Sequence, residues 1–475
     1  MKRPLPIKLF LYLLLPAFLF TQIIFQSGCA NIIPPEGGPR DTIAPVLTKA
    51  SPANGTTNFA DTRITFTFDE YVDLDNYQQN MVVSPLPSNF PIVSRKLNTI
   101  TVKLRDTLQP NTTYSIDFGN TIKDVNESNV MKNFTYIVST GRYMDSMQLS
   151  GRVIDAETGT TDSTMVVMLH REKDDSVVFK KKPVYIAKVK GNGTFLFKNL
   201  PPDTFYVYAL KDEGSYRYLS GKQTFAFADA PVFTGAKNDS IVLRSYISQK
   251  EDPNARPAPT NQRGKVPAGE NRLKFSTNLN ANKQDILGKF VMTFETPLKN
   301  FDSSKILLST DTLFTPVTGY RWQLDTTRKK LTLETAWRDN TLYNIILDKE
   351  FATDTLNRQL LKSDTLTFNT TARNEYGKLS IRFRNIDLSK NPVLVFVVGD
   401  AGSSGALYPL TSETFTRELF PPGEYNLRIL YDSNKNGVWD PGEFFGKHIQ
   451  PELVKPVPRK LNVRPNWDNL FEIAL

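Results

Sequence analysis

Asn111-Thr112-Thr113-Tyr114-Ser115-Ile116 returns later in the chain as Asn340-Thr341-Leu342-Tyr343-Asn344-Ile345. The surroundings of the two hexapeptides match as well. An alternating apolar and polar stretch precedes each, ending at Leu104 or Leu333. An aspartate follows each, Asp124 or Asp354, and then a segment that closes near a threonine, Thr140 or Thr370. A second repeat lies downstream of the first. Phe195-Leu196-Phe197-Lys198-Asn199-Leu200-Pro201-Pro202 returns loosely as Phe415-Thr416-Arg417-Glu418-Leu419-Phe420-Pro421-Pro422. Phe205, Val207 and Asp212 then match Tyr425, Leu427 and Asp432. The order is A-B-A′-B′, a two-module unit present twice, and this self-similarity fixes the architecture before single elements are assigned.

The elements are strands. Ile64, Phe66 and Phe68 alternate with Thr65 and Thr67, and Ile100, Val102 and Leu104 alternate with Thr101 and Lys103. Tyr114, Ile116 and Phe118 continue the pattern. Period two with β-branched and aromatic residues marks half-buried strands. Long helical periodicity is absent after residue 28, and 31 prolines and 25 glycines break the chain up as all-β proteins require. The expected fold class is all-β, with tandem β-sandwiches over 42–141, 147–247, 272–372 and 375–475. Gln249 to Gly269 is rich in Pro, Asn, Lys and Arg and poor in apolar residues, so 248–271 reads as a linker.

Pro45, Ser51-Pro52-Ala53-Asn54-Gly55, Phe66-Thr67-Phe68-Asp69-Glu70, Leu108-Gln109-Pro110-Asn111-Thr112-Thr113-Tyr114 and Ser139-Thr140-Gly141 carry a resemblance in unit A. The unit resembles a bacterial Ig-like domain of S-layer and envelope proteins. A′ resembles it more loosely, as a degenerate copy, because it lacks the opening Ser-Pro-Ala-Asn-Gly. Unit B, through Gly151-Arg152-Val153-Ile154-Asp155 and Gly193-Thr194-Phe195 leading into Leu200-Pro201-Pro202, resembles the prealbumin-like sandwich found beside carboxypeptidases and in adhesin stalks. The whole layout is similar to lipoproteins of the Bacteroidota with N-terminal Ig-like domains. Sandwiches host many roles, so the resemblance speaks for fold more than for function.

Cys29 is the single cysteine. Lys2, Arg3 and Lys8 are followed by an apolar stretch from Leu9 to Phe25 and then Gln26-Ser27-Gly28-Cys29. A basic start, an apolar core and small residues before a cleavage point make a secretory signal, here 1–28. A cysteine directly after Ser-Gly resembles a bacterial lipobox, although Gln26 stands where an aliphatic residue is usual. The competing reading is an uncleaved membrane helix. The stretch is short for that and is broken by Pro16, Thr21 and Gln22. Lipidation of Cys29 implies attachment to the outer membrane, with residues 29–41 as a tether. Surface export in this phylum is associated with acidic residues just after the lipidated cysteine. Ala30 to Pro35 come before Glu36, which favours the periplasmic face.

Composition and motifs argue against several activities. With no second cysteine there is no intramolecular disulfide. The net charge of +9 is spread out, with no dense Lys/Arg run interleaved with aromatics, which argues against nucleic acid as a partner. No glycine-rich phosphate loop of a standard pattern occurs. His170 and His448 lack evident partners for a triad or a histidine metal site. A carboxylate pair for glycoside cleavage would need a cleft that small sandwiches seldom supply. Trp322, Trp337, Trp439 and Trp467 can either pack or, where solvent-facing, stack on sugar rings, and Trp337, at the place of Leu108, reads as core. Asp-Ser/Thr followed by an apolar residue, as in Asp106-Thr107-Leu108 and Asp364-Thr365-Leu366, resembles an O-glycan acceptor and equally suits a turn entering a strand.

Asp432-Ser433-Asn434-Lys435-Asn436-Gly437-Val438-Trp439-Asp440-Pro441-Gly442-Glu443 has the spacing of a calcium loop. Oxygen side chains fall at places one, three, five, nine and twelve, with glycine at six. The expected ligands are Asp432, Asn434, Asn436, Val438 through its carbonyl, Asp440 and Glu443. A solvated turn uses the same letters. The flanking helices of an EF-hand are missing, and Asp212-Glu213-Gly214-Ser215 in unit B has lost the spacing, so one calcium per chain is expected. The expected role is therefore not enzymatic. It is a lipid-anchored envelope protein acting as a spacer or binding module for another envelope protein or a polysaccharide, with four sandwiches in a row. The alternatives are a carbohydrate-binding accessory lipoprotein in glycan uptake, with Trp322 or Trp439 as the residues to test, and, further off, a hydrolase.

Overall fold

The computed structural model describes residues 40–236, 240–248, 272–399 and 405–475. The signal segment, Cys29, most of the tether and linker residues 249–271 lie outside them. Among the described residues nearly all the regular structure is strand, the helices being turns of three or four residues. Among the described residues no helix is long and apolar enough to cross a membrane. Contacts divide the chain into two compact units. One runs to Tyr143 without Ser84–Leu86, and the other holds those three residues and everything from Met144 onward.

In the first unit, Arg63–Phe68 lies between Leu47–Ser51 and Thr99–Lys103, and Ile92–Lys96 closes the edge. Thr113–Gly119 pairs with Phe134–Ser139 in the facing sheet. The alternation sends Ile64, Phe66, Phe68, Ile100 and Val102 inward to meet Ile116, Phe118, Tyr136 and Val138. Phe66 is the hub, edge-on to Phe118, Phe134 and Tyr136 at centroid distances of 5.5, 5.4 and 5.0 Å. Edge-to-face contacts place the positive rim of one ring on the negative face of another. The buried Tyr136 hydroxyl donates to the carbonyl of Pro52 at 2.9 Å, and burial pushes its pKa up to about 12.

The second unit contains three sandwiches. The sandwich over 273–370 pairs the sheet of Phe275–Thr277, Phe290–Phe294, Lys330–Glu334 and Arg321–Leu324 with that of Asp364–Thr370, Leu342–Leu347 and Ile306–Thr310. Phe290 and Phe368 stack across it at 5.6 Å. The sandwiches on either side share one topology. In one, Met147–Asp155 lies between Thr194–Leu200 and a parallel partner, Ile241–Ser245. In the other, Gly377–Arg384 lies between Thr414–Phe420 and a parallel partner, Asp468–Ala474. The facing sheets are also alike: Tyr185–Lys188, Met165–His170 and Thr204–Lys211 against Ala406–Pro409, Pro392–Val398 and Gly423–Tyr431.

The expected simple row is not what these sandwiches form. The 147–246 and 377–474 sandwiches touch directly, although a whole sandwich separates them in sequence. The Val454 amide donates to the carbonyl of Ala156 at 3.1 Å, and Gln450 Nε2 donates to the carbonyl of Phe227 at 3.0 Å. The cause is apolar: Met165–His170 is buried on both faces, so its sheet needs a cover outside as well as a core inside.

Candidate functional site

The repeated letters make repeated bonds. The Thr112 amide donates to Thr140 Oγ1 at 2.9 Å, and that hydroxyl donates to the carbonyl of Gln109 at 2.7 Å. The Thr341 amide donates to Thr370 Oγ1 at 2.9 Å, and that hydroxyl donates to the carbonyl of Arg338. Tyr114 Oη accepts from the Gln109 amide at 2.8 Å, and Tyr343 Oη accepts from the Arg338 amide at 3.1 Å. Asn111 and Asn340 take left-handed backbone with φ of 50° and 47°, which asparagine tolerates better than most residues. Asp124 accepts the amides of Glu127, Ser128 and Asn129, while Asp354 accepts those of Leu356 and Arg358. Burial acts upward on the Asp124 carboxyl, but its amide donors prevail and hold the pKa below the usual range. These polar groups serve their own turns.

The segment after Tyr431 is organised around two buried carboxylates. Asp432, 2% exposed, accepts the amides of Lys435 and Asn436 on Oδ1 and that of Gly437 on Oδ2. Gly437 has φ of 79°, the turn that the sequence reserves a glycine for. Asn434 and Asn436 each place Nδ2 2.6 Å from Asp440 Oδ2. The second carboxylate is Glu452. Its Oε1 accepts the Ser433 amide and hydroxyl at 2.7 Å, and its Oε2 accepts the Asp440 amide at 3.2 Å. Asp432, Asn434, Asn436 and Asp440 are thus together, with Val438 on the same turn and its amide on Asn436 Oδ1. Glu443 is elsewhere: its carboxylate takes Lys447 Nζ at 2.9 Å, and its backbone pairs with Ile449. The loop-spacing rule does not reach Glu452, which returns to the loop at the start of the strand Leu453–Val463. Asp212, the counterpart of Asp432, closes an ordinary turn onto the Ser215 and Tyr216 amides.

Among the described residues no three His, Cys, Asp or Glu side chains gather as a metal cage. The loop's donors, counting amide and backbone oxygens, are nonetheless all oxygen, the chemistry that suits calcium.

Just beyond the loop, Phe444, Phe445 and His448 dock on the 147–246 sandwich. Phe444 meets Tyr208, Phe225 and Phe227 at 5.5, 5.3 and 5.0 Å. Phe445 meets Phe179 and Tyr218 at 5.7 and 5.4 Å. His448 Nε2 lies 2.8 and 2.9 Å from the two oxygens of Asp175. Gly159, at φ of 70°, lets Pro456 approach to where a Cβ would clash, at 2.5 Å. Burial raises the pKa values of the Tyr208 and Tyr246 hydroxyls beneath this cover. A pair of adjacent phenylalanines directly after a polar loop was the available signal for this contact.

The remaining candidates divide clearly. His170 is 2% exposed, and burial lowers its pKa to about 4, so it is a neutral strand residue. Trp322 is buried, and Trp337 packs edge-on to Tyr343 with its Nε1 donating to the carbonyl of Gly288. Trp439 is half-buried beside Val393, Leu430 and Val454. Neither Trp322 nor Trp439 is presented as a sugar platform. Trp467 is 61% exposed.

Residues 41–140 match the family model of a bacterial Ig-like domain. No curated protein matches the chain. Solved structures with a likeness to it include native alpha-2-macroglobulin from Escherichia coli over domains MG0-NIE-MG1, at 15% identity, covering 39% of this chain and 70% of that one, with a TM-score of 0.18. The Bacillus anthracis TIE protein is 10% identical over 93% of this chain and 75% of its own, with a TM-score of 0.17. The N-terminal part of the bacterial S-layer protein SbsC is 14% identical over 37% and 42%, with a TM-score of 0.16. Scores this low carry no argument about function.

Proposed function

We propose that this chain is a non-catalytic lipoprotein of the bacterial cell envelope, attached to the outer membrane through Cys29 and facing the periplasm. Its sandwiches act as a spacer that presents a binding surface to another envelope protein or a polysaccharide. The observation that carries the reading is the docking of Phe444, Phe445 and His448 on the 147–246 sandwich, which joins two sandwiches far apart in sequence into one continuous surface. The Ig-like match at 41–140 supports the reading, as does the use of the repeated Thr, Tyr and Asp groups in their own turns.

Calcium belongs to this reading as a structural ion. Asp432, Asn434, Asn436, Asp440 and the carbonyl of Val438 would hold it, with Glu452 in place of Glu443 as the further carboxylate. Bound there it would supply charge compensation to a loop rich in carboxylates and brace the segment that carries Phe444.

The anchor has a direct test. Cells expressing the protein are fed an alkyne fatty acid, and the label is read in the parent and in Cys29→Ser. Label in the parent and none in the variant, which then leaves the membrane fraction, is the expected result. An unlabelled parent that stays in the membrane ends the lipoprotein reading.

A further inference from the structure

We propose that the outer face of the four-stranded sheet in the first unit binds an acidic glycan, a polysaccharide chain bearing carboxylates. The inference rests on the reading of the chain as a binding module and gives that module its surface and its ligand class. The face is built by Leu47–Ser51, Arg63–Phe68, Thr99–Lys103 and Ile92–Lys96.

The strand register assembles it. Ile64, Phe66, Ile100 and Val102 point into the core, so their neighbours in sequence point out. One outward row runs Lys49, Thr67, Thr99, Lys96 across the four strands. The next runs Ser51, Thr65, Thr101, Ser94, and a third holds Arg63, Lys103 and Ile92. Strands about 4.8 Å apart make each full row about 14 Å wide. The centre is hydroxyl, the rim is cationic, and no carboxylate stands at any of these places. Lys49, Arg63, Lys96 and Lys103 are all exposed. Folding alone does not account for the pattern. Arg63 and Lys103 stand directly opposite one another, and like charges so placed cost stability. Among the described residues none of the four cations forms an ion pair. Arg95, on the other side of its strand, does have a partner, Asp73 at 2.9 Å. The Thr65, Thr67 and Thr101 hydroxyls likewise bond to none of the described residues. Thr48 beside them donates to the carbonyl of Thr67 at 2.8 Å.

These groups select the ligand class. Four cations on one face with no carboxylate among them call for a polyanion by charge complementarity. The threonine and serine hydroxyls both donate and accept, which matches the hydroxyls of a sugar chain. An open sheet face suits an extended polymer, whereas a small molecule needs a concave pocket. Other partners fit less well. A protein interface needs a buried aromatic or aliphatic anchor, and Ile92 is the one apolar residue in these rows. A membrane surface needs Trp, Phe or Leu to insert beside the cations. A single nucleic-acid strand needs aromatic rings to stack on.

The test titrates the full chain with polygalacturonate oligomers by calorimetry, with neutral dextran and sedimented phosphatidylglycerol vesicles as contrasts. Polygalacturonate should bind, and dextran and vesicles should not. Binding should weaken between about 0.05 and 0.5 M salt, as screening shortens the reach of exposed charges. Arg63→Gln with Lys103→Gln should lose about tenfold or more in affinity, because charge-assisted contacts go. Its Tm should equal or exceed the parent's, since the like-charge pair goes too. Lys49→Gln with Lys96→Gln repeats the test from the two edge strands should the first variant fold poorly. Lys349→Gln with Lys362→Gln removes the same charge from the 273–370 sandwich and should leave the affinity unchanged. Thr65→Val with Thr101→Val should weaken binding severalfold at full charge. A parent that ignores polygalacturonate, or takes dextran or vesicles as well as the polymer, overturns the proposal. So does an equal loss in the Lys349 and Lys362 control, or no loss in the threonine variant. Acyl labelling at Cys29 is read separately, so failure of this face leaves the envelope reading to its own test.

Discussion

Thr140 and Thr370 show how little of a side chain is needed to close a sandwich. Each hydroxyl accepts one amide and donates to one carbonyl, joining the last strand to the turn before the Tyr114 or Tyr343 strand. Valine keeps the shape and removes both bonds. Thr140→Val and Thr370→Val should each cost about 1 kcal/mol, since a partly buried amide loses its acceptor. Urea unfolding midpoints measure it, and Thr→Ser should restore most of the loss. His170 gives a pH dependence. Folded, burial holds its pKa at about 4; unfolded, it takes a proton near the ordinary histidine value of about 6.5. Below about 6.5 the unfolded chain therefore binds a proton that the folded chain refuses, and stability falls as the pH drops toward 4. The loss reaches about 3 kcal/mol. His170→Phe should flatten the difference in unfolding midpoint between pH 7 and pH 4.5, and an unchanged slope would count against this account. These two threonines could be read directly from sequence as the repeated closing residue. The neutrality of His170 could not, because it depends on what covers the strand.

At the scale of elements, the loop from Asp432 to Asp440 makes the clearest division between reach and limit. Its turn residues were legible because Asp, Asn and Gly at those places each answer a local backbone demand. Glu452 was not, since spacing rules describe one continuous loop and this carboxylate arrives from the next strand. If calcium binds, millimolar calcium should raise the Tm of the full chain, by about 2.7 kcal/mol of added stability at a hundred times Kd. Asp440→Ala should remove the shift, whereas Glu443→Ala should leave it, because Glu443 is turned toward Lys447. A calorimetric blank at millimolar calcium would reduce the loop to a turn. The strand Met165–His170 shows a different limit. Met165-Val166-Val167-Met168-Leu169 is a continuous apolar run, the mark of a strand buried on both faces, but the run does not say what supplies the outer cover.

At the scale of the molecule, the sandwich fold follows from the sequence because strands, turns and cores are local patterns repeated many times. The contact between the 147–246 and 377–474 sandwiches does not follow, because no local pattern states which distant surface meets an apolar face. Phe444 is 3% exposed and sits among three aromatic rings of the other sandwich. Removing a buried phenylalanine costs about 3–5 kcal/mol. Phe444→Ala should lower the Tm of both sandwiches, and calorimetry should then resolve transitions that merge in the parent. A single sharp transition unchanged by Phe444→Ala would mean that the two unfold independently of this contact. The same arrangement sets an order of events during synthesis. Tyr208, Phe225 and Phe227 leave the ribosome long before Phe444, with all of residues 273–370 still to be made between them. A nascent chain of this protein thus carries an uncovered aromatic face through nearly half of its synthesis, the kind of transiently exposed surface that favours aggregation until the last sandwich arrives.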